Sequence, residues 1–170
     1  MESLKLIGTG SFTKAYLRST DNKVILKSCC PIKECMSMGW FPTSRLFPKI
    51  TRVEHEKYEM KYYPKVSSLK NNLDPDQYKI YLTLRNVQNR FMCTGLNNKH
   101  DSLSIYYKAF SKLENKRVSK AMCEAIEACG NYGSAIGFEI SPRNVAVNNG
   151  KLVLLDVFYS ISKLEQLRRG

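Results

Sequence analysis

The segment Asn148-Asn149-Gly150 limits what this chain can fold into more than any other. It lies between Asn144-Val145-Ala146-Val147 and Lys151-Leu152-Val153-Leu154-Leu155-Asp156. Asn-Gly accepts the positive φ angles that a tight two-residue turn demands, and the apolar runs on either side suit paired strands. The spacing predicts an antiparallel hairpin, with Asn144 just before its first strand and Asp156 at the end of its second. Two oxygen-bearing side chains then converge at the open end of one hairpin, and oxygen donors of this kind suit a hard cation such as Mg²⁺.

Upstream, the first 65 residues read as strands joined by short turns. Leu4-Lys5-Leu6-Ile7 leads into Gly8-Thr9-Gly10-Ser11-Phe12, followed by Ala15-Tyr16-Leu17. A turn at Ser19-Thr20-Asp21-Asn22 precedes Lys23-Val24-Ile25-Leu26-Lys27. Tyr58, Met60 and Tyr62 alternate with Glu59 and Lys61, the period of a half-buried strand. Between these runs, Ile32 to Trp40 reads as a short helix ending near Gly39. After Tyr63-Pro64-Lys65 helical signals take over. Asp74 before Pro75 supplies an N-cap and a proline at the first helical position, with Gln77 placed for a capping box. Tyr78, Tyr81, Leu82 and Arg85 follow at helical spacing. Asp101 caps a second helix carrying Leu103, Tyr106, Tyr107, Phe110 and Leu113. Val118, Met122, Ala125, Ile126 and Cys129 mark a third, closed by Gly130 or Asn131.

Composition narrows the function classes. Lys and Arg number 27 against 15 Asp and Glu, a net charge of +12, which favours an anionic partner: a nucleotide, a nucleic acid or an acidic protein surface. With 43% hydrophobic residues the chain can bury a core. No signal-peptide-like run opens the chain, and no stretch reaches the roughly 18 apolar residues of a membrane span. The six cysteines (Cys29, Cys30, Cys35, Cys93, Cys123 and Cys129) form no CxxC pair, so the expectation is reduced, packing thiols in a cytoplasmic protein.

Three features carry chemistry. A glycine-rich strand–turn–strand lets backbone N–H groups approach phosphates, and Gly8-Thr9-Gly10-Ser11-Phe12 is of that kind, although an ordinary hairpin turn has the same composition. Lys27 stands among apolar residues of a strand, where a charge is costly unless paired or turned to a ligand. Its candidate partner is Glu34, with Glu54, Glu56 and Glu59 as rivals. Third, Phe138-Glu139-Ile140-Ser141-Pro142-Arg143-Asn144 sets a carboxylate five residues before the asparagine.

Taken together these segments resemble protein kinases. Gly8 to Phe12 plus Lys27 is similar to the kinase glycine loop and strand lysine, Glu139 to Asn144 to the HRDxxxxN catalytic loop, and Leu154-Leu155-Asp156 to the segment bearing the DFG aspartate. The compressed layout is most similar to the short serine/threonine kinases of tailed bacteriophages. The resemblance implies an α+β, minimal bilobal fold with residues 1–63 as the N-terminal lobe and 64–170 as a reduced C-terminal lobe. It also implies ATP and Mg²⁺ as cofactors. Gly8, Gly10, Ser11, Phe12, Lys27 and Glu34 would serve the phosphates, and Met60 to Tyr63, with Met60 and Tyr62 foremost, would form a hinge beside the adenine. Asn144 and Asp156 would bind the metal, and Glu139 would meet the acceptor hydroxyl. The implied partner is a host bacterial protein.

The chain departs from the kinase pattern at several places. Glu139 stands where kinases have aspartate, which moves the carboxylate by about 1 Å, and a misplacement of that size costs on the order of 10²-fold in rate. Gly137-Phe138 replaces His-Arg, and Val157-Phe158 replaces Phe-Gly. The sequence therefore supports two readings: a kinase, or a pseudokinase that binds a host protein through a basic surface. Nucleic-acid binding rests on charge alone, and a small-molecule phosphotransferase would share the same catalytic parts.

Overall fold

A computed structural model describes residues 3–94 and 101–170. The fold is α+β, with an N-terminal antiparallel sheet followed by a helical part that holds two small two-stranded sheets. Five strands build the first sheet: β1 (Leu4–Thr9), β2 (Thr13–Arg18), β3 (Lys23–Ser28), β4 (Thr51–Glu54) and β5 (Lys57–Lys61), in the order β1-β2-β3-β5-β4. Helix α1 (Pro31–Ser37) lies between β3 and β4 in the chain, with proline in its first turn. Strand β4 had no counterpart in the sequence reading. Its four residues are all exposed, so they show no hydrophobic period.

The pleat divides the sheet into two unlike faces. Thr13, Ala15 and Leu17 share one face with Val24, Leu26 and Ser28 of β3 and with Tyr58 and Met60 of β5. Most of that face is buried and joins a single apolar core that continues through α1 into the helices. Lys14, Tyr16 and Arg18 lie on the opposite face, level with Lys27, Ile25 and Lys23 and then with Lys57, Glu59 and Lys61.

The second part begins with a short turn of helix, α2 (Leu69–Asn72), and continues with α3 (Pro75–Met92), α4 (Ser102–Ser111) and α5 (Lys116–Cys129). In α5, Val118, Met122, Ala125, Ile126 and Cys129 fall on one buried stripe, and the Asn115 side chain caps the helix by accepting from the Val118 N–H. Tyr106 and Phe110 of α4 meet Phe138 at ring separations of 5.6 and 5.1 Å, both edge-on. Such pairs add about 0.5–1.5 kcal/mol beyond area burial. Strands β6 (Ile136–Phe138) and β9 (Phe158–Ser160) pair antiparallel, and helix α6 (Ile161–Arg169) follows. Ser102 Oγ donates to the Ile136 carbonyl and accepts from the Ile136 N–H, pinning the start of α4 to β6. No helix among the described residues is long and apolar enough to cross a membrane.

The Asn-Gly hairpin forms as read, from β7 (Val145–Asn148) and β8 (Lys151–Leu154). Asn149 and Gly150 adopt φ of 50° and 76°, the doubly left-handed turn that fits strand twist. The capping box does not form. Asp74 occupies the N-cap position of α3 without a capping bond, and its carboxylate pairs instead with Lys151 at 2.8 Å. Gln77 Oε1 accepts from the Leu152 N–H at 3.0 Å. Both side chains are drawn across to the hairpin, so α3 is docked on β8 rather than closed on itself. A Cβ at Gly150 would lie 2.3 Å from Asp74 Oδ1. Gly150→Ala is therefore expected to lose about 2 kcal/mol, combining left-handed strain with displacement of that carboxylate. Urea unfolding would show it as a lower midpoint at unchanged slope.

Candidate functional site

The segment after β6 carries the first group. Glu139 is exposed, and its backbone N–H donates to the Val157 carbonyl at 2.8 Å. Five residues on, Asn144 Nδ2 donates to the Glu139 carbonyl at 3.3 Å. The Asn144 carbonyl in turn accepts from the backbone N–H groups of Leu155 (2.8 Å) and Asp156 (3.3 Å). These bonds hold Glu139, Asn144 and Asp156 in one cluster. With Nδ2 engaged, the Asn144 side chain keeps its oxygen for another partner. The loop is anchored from α3, where Gln88 Oε1 accepts from the Ile140 N–H at 2.7 Å. Within it, the buried Ser141 hydroxyl has no hydrogen-bond partner among the described residues, an arrangement that costs about 1–3 kcal/mol when nothing satisfies the group.

A residue that the sequence reading passed over completes the cluster. Lys33, in the first turn of α1, sends its ammonium to Asp156 Oδ1 at 2.9 Å and to the Leu155 carbonyl at 2.8 Å. Its side chain is 4% exposed, against 43% for Asp156. Ile32, Phe41, Phe47 and Phe158 are among the residues around it. A charge so enclosed survives only with good partners, and here it has a carboxylate and a carbonyl. The available signal was a lysine on the buried stripe of a short helix, since Ile32, Lys33, Cys35 and Met36 are all buried.

Lys27 is placed elsewhere. It is exposed, lies on the sheet face opposite Val24, Leu26 and Ser28, and holds its ammonium 5.3 Å from the centre of the Tyr16 ring. On the inner face the neighbouring position is Ser28, whose hydroxyl bonds Thr13 Oγ1 and accepts from the Cys30 N–H. Lys27, expected to grip the phosphates across a gap from Asn144 and Asp156, thus stands on the sheet's outer face, and the ammonium found at Asp156 is that of Lys33. Glu34 does not orient Lys27 either. It pairs with Arg52 at 3.3 Å and lies beside Tyr132, whose hydroxyl burial and this carboxylate together push up to about 12. Met60 is a core residue paired across the ladder with Val24, while Tyr62 and Tyr63 pack half-buried at the core's edge. Lys61 Nζ donates to Asn148 Oδ1 at 3.0 Å, tying the end of β5 to the Asn-Gly hairpin.

The glycine loop approaches the C-terminal cluster through its tip. Phe12 lies 6.3 Å, ring centre to ring centre, from Tyr159, and the Tyr159 ring lies across Gly137. Burial chiefly, and then the Glu139 charge, push the Tyr159 hydroxyl above its ordinary range. Neither Gly8 nor Gly10 has a positive φ. A Cβ added at either would come no closer than 3.8 Å to its nearest neighbour, an ordinary contact. The local backbone therefore does not require glycine here.

Among the described residues no group of three or more His, Cys, Asp and Glu side chains is placed to hold a metal ion. Cys30, Cys35 and Cys129 are free and buried, and burial pushes the thiols of Cys30 and Cys35 up to about 11 and about 12, which disfavours thiolate chemistry.

No family model matches the sequence, and no curated protein matches it. Among the solved structures that match is a ternary complex of APH(2")-IIa with streptomycin and ATP, similar at 15% identity and a TM-score of 0.41. The similarity covers 95% of this chain and 68% of that one.

Proposed function

We propose that the chain is a phosphotransferase of protein-kinase type, using ATP and Mg²⁺ to phosphorylate a serine or threonine hydroxyl, with a host bacterial protein as the acceptor that the phage-kinase resemblance implies. The observation that carries this reading is the hydrogen-bonded cluster of Glu139, Asn144 and Asp156, with an enclosed cation, Lys33, on the last of them. Two tests of fit favour the cofactors. Asn144 and Asp156 are joined through the backbone, and their side chains carry hard oxygen donors of the type Mg²⁺ selects. Gly8 and Gly10 are exposed and carry no side chain, which leaves the loop backbone accessible to close approach by a phosphate.

Each side chain then has a task. Asp156 and Asn144 would hold the metal, which neutralises phosphate charge when bound. Lys33 fixes the Asp156 carboxylate through Oδ1, leaving Oδ2 to the ligand. Glu139, exposed at the cluster's edge, orients the acceptor hydroxyl and takes its proton. The half-buried Ile7, Ala15 and Tyr62 offer apolar surface for a base at the rim of the core.

A second reading, a pseudokinase that binds a host protein without turnover, draws on the same ion pair, because Lys33 already engages one oxygen of Asp156. Labelled ATP, Mg²⁺ and a bacterial lysate separate the two. The expected result is transfer of the γ-phosphate to protein, reduced at least about 100-fold in Asn144→Ala and Glu139→Gln. ATP binding without transfer would favour the pseudokinase. Gly8→Val with Gly10→Val is expected to weaken ATP at least about tenfold with the melting temperature little changed. Absence of both binding and transfer in the wild type would reject the nucleotide site.

A further inference from the structure

We propose that the outer face of the five-stranded sheet carries an anion-binding site away from the Asp156 cluster, built by Lys14, Lys27 and Lys57 and suited to an oligophosphate. The three lysines are direct ladder partners: Lys14 opposes Lys27, and Lys27 opposes Lys57. Directly opposed residues project from the same face, on strands about 4.8 Å apart. Like charges so placed repel each other, and a sheet that gains nothing from them is expected to carry neutral or alternating residues at such a rung.

The same face holds an internal control. At its other end Arg18 opposes Lys23, and Lys23 opposes Lys61, another basic rung. There the fold supplies countercharge: Glu59 bridges Arg18 and Lys23, Asp21 pairs with Arg18, and Lys61 donates to Asn148. At the Lys14 rung it supplies much less. Lys57 has Glu54 at 3.0 Å, Lys27 has the Tyr16 ring, and neither touches a carboxylate that also reaches Lys14.

This rung also borders a recess of about 470 Å³, closed on one side by Gly10 to Thr13 and on the other by the 54–57 turn. Glu54, His55 and Glu56 line its turn side, so the positive wall is the one formed by Lys14 and Lys27. A single carboxylate cannot satisfy two or three ammonium groups at once. A phosphoryl chain, with several charged oxygens in a row, can, and lysine is a general point-charge binder of phosphate. The recess shares Gly10 to Phe12 with the glycine loop of the nucleotide reading, but neither Asp156 nor Asn144 lines it, so the Asp156 cluster is no part of it.

The test is calorimetric titration of the full chain with sodium tripolyphosphate at low salt and without divalent metal. Binding is expected in the wild type, about tenfold weaker in Lys14→Gln/Lys27→Gln, and within about twofold of wild type in Asp156→Asn. The double variant should also melt at a higher temperature than wild type when no anion is present, because the repulsion is gone. Competition by ATP would identify a nucleotide-borne chain as the natural source, and tripolyphosphate binding that ATP does not displace would identify a free one. Undiminished binding in the double variant, equal loss in Asp156→Asn, or binding of a polyglutamate peptide but not of tripolyphosphate would each overturn the proposal.

Discussion

Replacing Asp156 by alanine is expected to cost about 2–4 kcal/mol of folding stability, whatever it does to chemistry. The reason lies in the unequal burial of the pair. Lys33 is 4% exposed, and once Asp156 is gone its ammonium keeps only the Leu155 carbonyl of its two protein partners. Asp156 is 43% exposed and can be hydrated without Lys33. Removing the cation should therefore be far cheaper, and Lys33→Met is expected to cost no more than about 1 kcal/mol. The double variant Lys33→Met/Asp156→Ala should regain most of what Asp156→Ala loses, since no charge is left enclosed. Urea unfolding of the four proteins at pH 7 closes the cycle. Equal losses in the two single variants would show that Lys33 is not the enclosed partner. An inactive Asp156→Ala protein is informative about catalysis only beside its own melting curve, which is why Asn144→Ala and Glu139→Gln bear the weight of the activity test.

The asymmetry of that pair also shows where sequence reasoning reaches its limit. The Asn-Gly turn was legible because only a few residues tolerate two successive left-handed positions, and Asn149 and Gly150 occupy them. The helices from Pro75, Ser102 and Lys116 were legible from proline, from polar residues ahead of apolar stripes, and from Gly130 at an end. Glu139, Asn144 and Asp156 lie in one hydrogen-bonded segment because a short hairpin and a short loop leave little freedom between them. The face taken by Lys27 was not legible from its own strand. Val24, Ile25 and Leu26 are all buried, and an unbroken apolar run carries no parity. The parity is visible only across the ladder: Lys27 opposes Lys57, and β5 alternates clearly, with Tyr58 and Met60 buried. Strands β6 and β9 escaped for a different reason, because three residues each, with a glycine in β6, are too few to show a period.

Gly137 is where the next largest loss is expected. It stands two residues before Glu139, where the kinase pattern has a histidine, and the structure supplies a local reason for the departure. A methyl group at this position would lie 2.1 Å from Tyr159 Cζ and 2.5 Å from both Cε atoms. Gly137 and Tyr159 are direct partners in the β6–β9 ladder, so the ring has no freedom to slide along the strand. Phe12 limits its movement on the loop side. Gly137→Ala should therefore cost about 2–3 kcal/mol, near the upper end of overpacking effects. The strain is relieved by removing the ring, not by the backbone, so Gly137→Ala in a Tyr159→Ala background should cost about 0.5 kcal/mol or less. The same substitution pushes Tyr159 off its seat beside Glu139 and Phe12, so any phosphoryl transfer should fall further than stability alone explains. A Gly137→Ala protein that melts with the wild type would mean that the Tyr159 ring does not lie across β6, and the link it makes between the glycine loop and the Glu139 cluster would be lost with it.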